Sequence, residues 1–211
     1  MANFLKQIYH HKLAFSGILI VLFMAILAIF APLLAPYDPT HIDYSRMLLP
    51  PSPDHLMGTD DRGRDVFSRM LYGAQISLLV GFVAVGISSV IGVFFGAVAG
   101  FYGGKIDSLV MRFVDVMLAF PSFFLILAVI AFLEPSIYNI MIVIGLTSWM
   151  GVTRLVRAEF LKLRQQEFIM AAETQGVSSA RMMWRYMLPN ALSPVWVNVT
   201  LGIAAAILVE S

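Results

Sequence analysis

Cysteine is absent from this sequence, and charged residues are scarce. Without cysteine there is no disulfide, no thiolate ligand for a metal and no cysteine nucleophile. Charged residues make up 13% of the 211 residues, against roughly 25% in an ordinary soluble domain. The formal net charge is only +1, so the charge balance gives no support to a nucleic-acid partner.

Catalytic and metal-binding motifs are missing as well. The nearest approach to a GxxxxGK[ST] phosphate loop is GGKI at 103–106, but Ala99 replaces the first glycine and Ile106 follows the lysine. GTDDRGRD, at 58–65, lacks the spacing of an EF-hand. The four histidines have no partner at metal-ligand spacing, and no Ser-His-Asp set is recognisable. We therefore predict a chain that is not an enzyme and holds no metal or cofactor.

Long hydrophobic runs are what the sequence has in abundance. Hydrophobic residues make up 59% of the chain, and its mean hydropathy is +0.83. A helix crosses the hydrocarbon core of a bilayer in about 20 residues. The sequence therefore predicts an all-α, polytopic helical bundle in a membrane, with five spans. They are 13–35, a block within 75–104, 109–133, 137–151 extended by its neighbours, and 191–209.

The first span has an alternative interpretation, because lysines precede it as they precede the core of a signal peptide. Such cores are about 7–15 residues long, and the charge-free run here is longer, so we favour a span. Residues 1–12 are compatible with an interfacial amphipathic helix or with a disordered tail. Residues 36–74 are predicted to form a loop, and residues 75–211 the transmembrane core.

The distribution of Lys and Arg predicts the orientation. The segments on the side of the N-terminus hold most of the basic residues, whereas the loop 36–74 carries more Asp than Arg. Positive residues favour the cytoplasmic side, so we predict a cytoplasmic N-terminus, an extracytoplasmic loop at 36–74 and a cytoplasmic loop at 153–190. The basic residues on the predicted cytoplasmic side are Lys6, Lys12, Lys105, Arg154, Arg157, Lys162, Arg164, Arg181 and Arg185.

Small residues recur at every fourth position in the second span and form one stripe of the helix. A stripe of this kind predicts close packing against another helix, and a pore-lining face is the alternative. The stripe consists of Ser88, Gly92, Gly96 and Gly100.

Two charged residues lie near the start of the third span. Arg112 and Asp115 are three positions apart, so we predict an ion pair between them on one helix face. A charge inside a membrane is also a candidate substrate contact, but snorkelling from the nearby boundary favours the structural interpretation. Pro121 predicts a kink within the same span.

The polar loop before the last span has the pattern of two helices separated by glycine. Residues 167–175 can form two helical turns that end at Gly176 in a left-handed cap. Ser178 or Ser179 can cap a second helix that ends at Pro189. Its methionines and Tyr186 form an apolar face suited to a partner. The alternative is an interfacial helix that rests on lipid.

This loop carries a resemblance to a known family. AAETQGVSSARMMWRYMLPNA, at 171–191, resembles the cytoplasmic signature of ABC importer permeases, in which Glu-Ala-Ala is followed by Gly and later by Leu-Pro. Met170 stands where the family has Glu. The matching residues are Ala171, Ala172, Gly176, Leu188 and Pro189.

Three further stretches extend the resemblance along nearly the whole chain. HLMGTDDRGRDVFSRMLYGAQISLLVG at 55–81, FAPLLAPYDP at 30–39 and DSLVMRFVDVMLAFPSFFL at 107–125 are similar to the permeases of dipeptide, oligopeptide and nickel importers. The likeness is greatest to the second of the two permease subunits.

The resemblance implies a permease subunit in the bacterial inner membrane. Its expected partners are a second permease, two cytoplasmic ATPase subunits that bind the ATP, an extracytoplasmic solute-binding protein and membrane lipid. Family members have six spans, so we expect this sequence to be C-terminally incomplete. A coupling helix would dock on the ATPase through Phe168, Ala171, Ala172, Gly176, Leu188 and Pro189.

Two functions of other classes stay open from the residues alone. A channel or membrane scaffold would need no ATPase. A carrier driven by an ion gradient would need isolated carboxylates or broken helices at mid-membrane, often in two repeated halves. Asp115 is the sole acidic residue inside a predicted span, and no internal repeat is visible.

Overall fold

The computed structural model describes residues 12–133 and 136–210 of the chain. Every regular element in these residues is helical, so the predicted all-α membrane class is confirmed. The predicted interfacial segment 1–12 lies outside the described residues, except for Lys12. The chain forms two compact units, 1–79 and 80–211.

The first unit begins with the first predicted span. It contains α1 (Lys12–Ile29), α2 (Ala31–Leu34), a 3-10 turn (Tyr44–Arg46) and the start of α3 (Val66–Tyr102). α1 has 18 residues with a mean hydropathy of 2.5, so it is long and apolar enough to cross a membrane. Together α1 and α2 cover the predicted span 13–35.

The loop between α2 and α3 is tightly folded around two glycines. Gly58 and Gly63 have φ values of 73° and 72°. A Cβ atom at Gly63 would lie 1.8 Å from the carbonyl oxygen of Asp43, and one at Gly58 would lie 2.3 Å from that of Leu49. Both the conformation and the close approach therefore require glycine.

α3 begins at Val66, whereas the second span was predicted to begin no earlier than residue 75. Asp65 caps the helix, because its Oδ2 accepts the backbone N–H of Ser68 at 2.8 Å. The prediction started after Arg69 because it counted charge-free residues. A charge in the first turn of a long helix does not end the helix when a partner outside it accepts that charge.

That partner is Asp60, which collects several donors. Its carboxylate accepts the backbone N–H groups of Arg62 and Arg64, both at 2.9 Å, and it pairs with the side chains of Arg64 and Arg69. Burial acts to raise the pKa of Asp60, but these hydrogen bonds outweigh burial and hold the pKa far below its ordinary range.

The second unit holds the remaining helices. After α3 come α4 (Gly104–Ala119), α5 (Ser122–Phe132), α6 (Ile137–Leu163), α7 (Glu167–Thr174), α8 (Ser179–Arg181), a π-helical turn (Met182–Met187) and α9 (Leu188–Glu210).

α3 and α6 pack with their backbones in close approach. A Cβ atom added at any of three glycines of α3 would lie 2.5–2.6 Å from an atom of α6, closer than real side chains allow. Residue numbers rise together along the two helices, so α3 and α6 run parallel. The contacts pair Gly92 with Val152, Gly96 with Thr153, and Gly100 with Phe160.

The parallel arrangement determines the path of the chain between these helices. Two parallel spans require the intervening chain to return across the membrane. That chain is the pair α4 and α5, bent by 80° at the break between them. The pair therefore forms one broken span, and with α1, α3, α6 and α9 it makes the five predicted spans.

The break replaces the predicted kink at Pro121. Phe120 has an extended backbone with ψ of 126°, the conformation imposed on a residue that precedes proline. Pro121 also lacks the N–H that would continue the helical hydrogen bonds. Two residues therefore leave the helix, and the second half restarts at Ser122 in a new direction.

α6 continues through Leu163, so the predicted loop 153–190 begins inside a helix. Val156 and Phe160 are fully buried on the inner face of this extension. Arg154 and Lys162 are exposed on its outer side. The charges belong to the polar face of an amphipathic helix. The prediction ended the helix too early because it ended the span at the first charged residues.

The close approach at Gly96 generates a stability prediction. Gly96→Ala should destabilise the protein by about 1–3 kcal/mol, because the new methyl group overpacks the contact with α6. Gly86→Ala is the matched control, since no described atom lies within 4 Å of its added Cβ. It should be neutral or stabilising by about 0.5–1 kcal/mol. Thermal unfolding in detergent measures both, and equal melting temperatures would contradict the packing.

The Asp60 network generates a prediction about acid stability. Because the folded-state pKa is lowered, the network stabilises the loop at neutral pH and loses that contribution as pH falls below the ordinary value of 3.8. Asp60→Asn should raise hydrogen exchange across residues 58–69 at pH 7 and flatten its acid dependence. The exposed neighbour variant Asp61→Asn should behave as wild type, and an Asp60→Asn profile identical to wild type would contradict the network.

Candidate functional site

The connecting segment, residues 164–187, joins α6 to α9 and contains the residues that resemble the permease signature. Its helix α7 rests on a buried face. Ile169 and Ala172, three positions apart, are 2% and 6% exposed and belong to the same apolar cluster as Phe160 and Met187. Residues at this spacing share one side of a helix, so the sequence determines which side of α7 faces inward.

The opposite side of α7 is exposed. We call it the outer face of α7 and define it as Phe168, Met170, Ala171 and Thr174. Phe168 and Met170 are 44% and 48% exposed. Apolar side chains on a polar segment that also has a buried face are available to a partner.

Gly176 ends α7 in the predicted left-handed conformation, with φ of 74°. The N–H of Val177 donates to the carbonyl of Ala172 at 3.2 Å, and the N–H of Gly176 donates to that of Glu173 at 3.0 Å. These two bonds define a Schellman cap. No described atom lies within 4 Å of an added Cβ, so the requirement for glycine comes from the backbone and not from lack of space.

The methionine face predicted to meet a partner is buried instead. Met182, Met183 and Met187 are 5%, 6% and 1% exposed and pack in the cluster under α7. Because the segment folds back onto the end of α6, its most apolar face is covered by the chain itself. Trp184 and Arg185 are the exposed residues of this turn.

The helix predicted to end at Pro189 continues through it. Residues Met182–Met187 form a π-helical turn, and the N–H of Leu188 donates to the carbonyl of Met183, five residues earlier. In a π-helical turn the N–H groups bond to carbonyls five residues earlier instead of four. The bonding pattern of this turn therefore does not need an N–H group from Pro189. Leu188 is half-buried and Pro189 exposed at the start of α9.

Ala172 therefore differs from the other candidate docking residues. Its side chain faces the core of the unit, which excludes a direct contact with a partner while α7 stays seated. Ala171 is exposed on the outer face. The spacing to Ile169 was the signal in the sequence that separated the two alanines, because a residue three positions from a large aliphatic one shares its side.

The predicted ion pair between Arg112 and Asp115 is not formed. Asp115 pairs instead with Arg154 of α6, and Arg157 of α6 donates to Asp107 at 2.6 Å. Within one helix, a base that precedes an acid is the less favourable order, whereas α6 brings guanidinium groups directly alongside α4. The charges join two helices.

The three glycines of the small-residue stripe lie under α6 rather than along an open channel in this unit. Ser88 is 3% exposed, and its hydroxyl donates to the carbonyl of Val85 at 3.0 Å. Gly92, Gly96 and Gly100 are covered by the α6 contacts described above. Among the described residues no group of three His, Asp or Glu side chains is arranged to hold a metal.

Comparison with known families identifies the chain. The model of the binding-protein-dependent transport system inner membrane component matches residues 92–210, and the N-terminal TM domain of oligopeptide transport permease C matches residues 1–51. The chain belongs to the permeases of binding-protein-dependent transport systems. The resemblance to ABC importer permeases is thereby confirmed, and the protein is an integral multi-pass membrane permease.

Individual relatives agree with the family match. The permease is 45% identical over 203 residues to the dipeptide transport system permease protein DppC of Alkalihalophilus pseudofirmus, a match that covers 96% of this chain and 67% of that protein. It is 37% identical to DppC of Bacillus subtilis, over 98% of this chain and 64% of that protein. It is 36% identical to the oligopeptide transport system permease protein OppC of Bacillus subtilis, over 95% and 66%. The chain thus spans about two thirds of the length of these relatives.

The cap of α7 generates a prediction that separates backbone strain from side-chain contact. Gly176→Val should destabilise the connecting segment of the permease, because the left-handed conformation costs an L-residue about 1–2 kcal/mol. Gly176→Asn should be much closer to wild type, since Asn adopts this conformation readily. Limited proteolysis of residues 164–187 measures the effect. Equal protection of the two variants would show that the conformation at Gly176 is unimportant.

Proposed function

We propose that this chain is the membrane-spanning permease subunit of an ATP-driven importer of peptides, and that the outer face of α7 docks on a separate ATPase subunit. The observation that carries the proposal is the seating of α7. One side of the helix, at Ile169 and Ala172, is anchored in the core, while Phe168, Met170 and Ala171 face outward. The names of the dipeptide and oligopeptide relatives support peptides as the solute.

The proposal includes the partners expected of the family. A second permease subunit completes the pathway, two ATPase subunits bind and hydrolyse ATP, and an external binding protein delivers the solute. In this assembly the permease itself holds no cofactor and carries out no chemical step. Its role is to convert a movement of the ATPases into a change of its own helices within the bacterial inner membrane.

The charges at one end of the second unit support a cytoplasmic position for α7. Arg157 is joined to α4, and Arg164 at the end of α6 donates to the carbonyl of Phe101 at 3.4 Å. These groups therefore lie at the end where α3 meets α4. Basic residues concentrate on the cytoplasmic side of membrane proteins, so this end and the N-terminus are assigned to the cytoplasm.

The energy needed for coupling is compatible with an apolar contact. Shifting a two-state equilibrium from 1:99 to 99:1 takes about 5.5 kcal/mol of differential interaction. Fully burying a Phe or Met side chain contributes about 1.5–3 kcal/mol, and roughly half of that area is still exposed on Phe168 and on Met170. Two such α7 helices, one in each permease, could supply a large part of the required difference.

The contact is steric and apolar in character. Met170 occupies the position of the usual family Glu and is exposed, so no carboxylate is available there for a salt bridge with the ATPase. Ala171 lets a partner surface approach the helix backbone closely. The cap at Gly176 fixes the direction in which the chain leaves α7 towards α8.

Cysteine crosslinking tests the docking, because the sequence has no native cysteine. Met170→Cys and Ala171→Cys should each form an adduct with single cysteines placed on the co-expressed ATPase. Ala172→Cys is the matched control from the same helix. Its side chain is 6% exposed, so it should form none.

Either of two results would contradict the docking. Adducts absent at both outward positions, in a complex shown to be intact, would remove the proposed contact. Equal adducts at all three positions would show that α7 is not seated as described.

A further inference from the structure

A cavity of about 150 Å³ lies among the membrane-spanning helices of the second unit. Its wall is mostly aliphatic, but it also receives one polar uncharged side chain from each of four helices. No charged side chain is among the described residues that line it. The polar residues are Ser88 of α3, Ser122 of α5, Ser148 of α6 and Asn198 of α9.

Three of these polar groups lack a hydrogen-bond partner among residues 12–133 and 136–210. The side chains of Ser122, Ser148 and Asn198 make no hydrogen bond to another described residue, and all three are exposed. Other hydroxyls in the same helices satisfy themselves, as Thr147 donates to Val143 at 2.8 Å and Thr200 to Trp196 at 2.7 Å. A polar group left unpaired in hydrocarbon is costly, so these three groups require water, a ligand or a partner chain.

The broken span leads to the same conclusion independently. Ser122 is the first residue of α5, directly after the break at Phe120 and Pro121, and it lines the cavity. Irregular backbone at membrane depth is tolerated where it is buried in protein or lines a water-filled cavity. The second half of the broken span therefore begins at the same space as the unpaired side chains.

A second groove in this unit shows the contrast. It is about 400 Å³ in volume and is lined by apolar side chains of α3, the π-helical turn and α9, including Phe94, Trp184 and Trp196, with Ser89 as its polar residue. A groove of that composition suits lipid chains or another apolar helix. The groove has one unpaired polar group, the hydroxyl of Ser89, whereas the polar cavity receives unpaired groups from three helices.

We propose that the polar cavity is this subunit's wall of the solute pathway, and that Ser122, Ser148 and Asn198 exchange hydrogen bonds with the peptide groups of the passing solute. This assignment rests on the proposed function. Neutral donors and acceptors match the amide groups that all peptides share, whereas discrimination among side chains or chain ends would need charges. Contacts of this type are weak enough to release the solute.

The volume of the cavity fits one side of the solute pathway and not a complete binding site for a peptide. At about 30 Å³ for each water molecule, it holds about five waters. This is too small for a dipeptide, so the rest of the pathway must be supplied by the second permease.

Thiol accessibility tests whether the cavity is wet. In membranes that contain the assembled transporter, Ser148→Cys and Asn198→Cys should react with a membrane-impermeant methanethiosulfonate. Leu146→Cys and Val197→Cys are matched controls, because they are exposed and lie at nearly the same depth on other faces of α6 and α9. The reagent attacks the thiolate, which forms in water and not among lipid chains, so the cavity positions should react at least about tenfold faster than the controls. Equal rates would overturn the proposal.

Uptake tests the contact with the solute. Asn198→Leu preserves the side-chain volume and removes its hydrogen-bonding groups. It should lower the uptake of dipeptides by about fivefold, the effect of one ordinary hydrogen bond. Thr200→Val is the control from the same helix and should transport normally. Unchanged uptake by Asn198→Leu would overturn the role of this side chain.

The same samples separate the two proposals. With Ala171→Cys added to the Asn198→Leu chain, an intact adduct with the ATPase shows that lost uptake comes from the pathway and not from docking. If the cavity cysteines label rapidly but no ATPase adduct forms in an intact complex, the cavity stands and the coupling fails. Rapid adduct formation with slow cavity labelling would support the docking and contradict the proposed pathway.

Discussion

The close approach of α3 to α6 is the contact on which the rest of the second unit depends. Gly92, Gly96 and Gly100 have no side chains to separate the two backbones, so the helices meet over several turns. Without a strong hydrophobic force between helices in lipid, close packing of this kind is a main source of association. Because α3 and α6 run parallel, α4 and α5 must carry the chain back across the membrane between them. The same arrangement places guanidinium groups of α6 next to the aspartates of α4.

The same contact connects the membrane helices to α7. Phe160 lies against Gly100 on one side and belongs, on the other, to the cluster that includes Ile169 and Ala172. In the proposed mechanism, a displacement of α7 would pass through these packed side chains to the junction of α3 and α6, because a close-packed interior resists compression. About three helical turns before Gly100 and Phe160, near the middle of the two helices, Ser88 and Ser148 lie beside the polar cavity. One pair of helices thus joins the proposed docking face to the proposed pathway.

Several features could be predicted because they depend on local chemistry. Hydrophobic length located the five spans, the four-residue period located the glycine stripe, and the position of Gly176 predicted a left-handed cap. The errors share a cause as well. Arg69 and Arg154 were taken as limits of helices, and Asp115 was paired with its neighbour Arg112, because a charge was judged without knowing which other element accepts it. Asp60 lies in the loop before α3, nine residues from Arg69, and Asp115 and Arg154 belong to two different helices.

The sequence by itself determined the class of protein, the membrane-spanning segments and the residues of the connecting helix, since composition and periodicity act over a few turns. The tertiary structure alone decided that the methionine face is covered and that the proline kink is a full break. It also decided that three unpaired polar groups from separate helices meet in one cavity. Burial and convergence arise when elements far apart in the chain pack together, and no local pattern contains that arrangement.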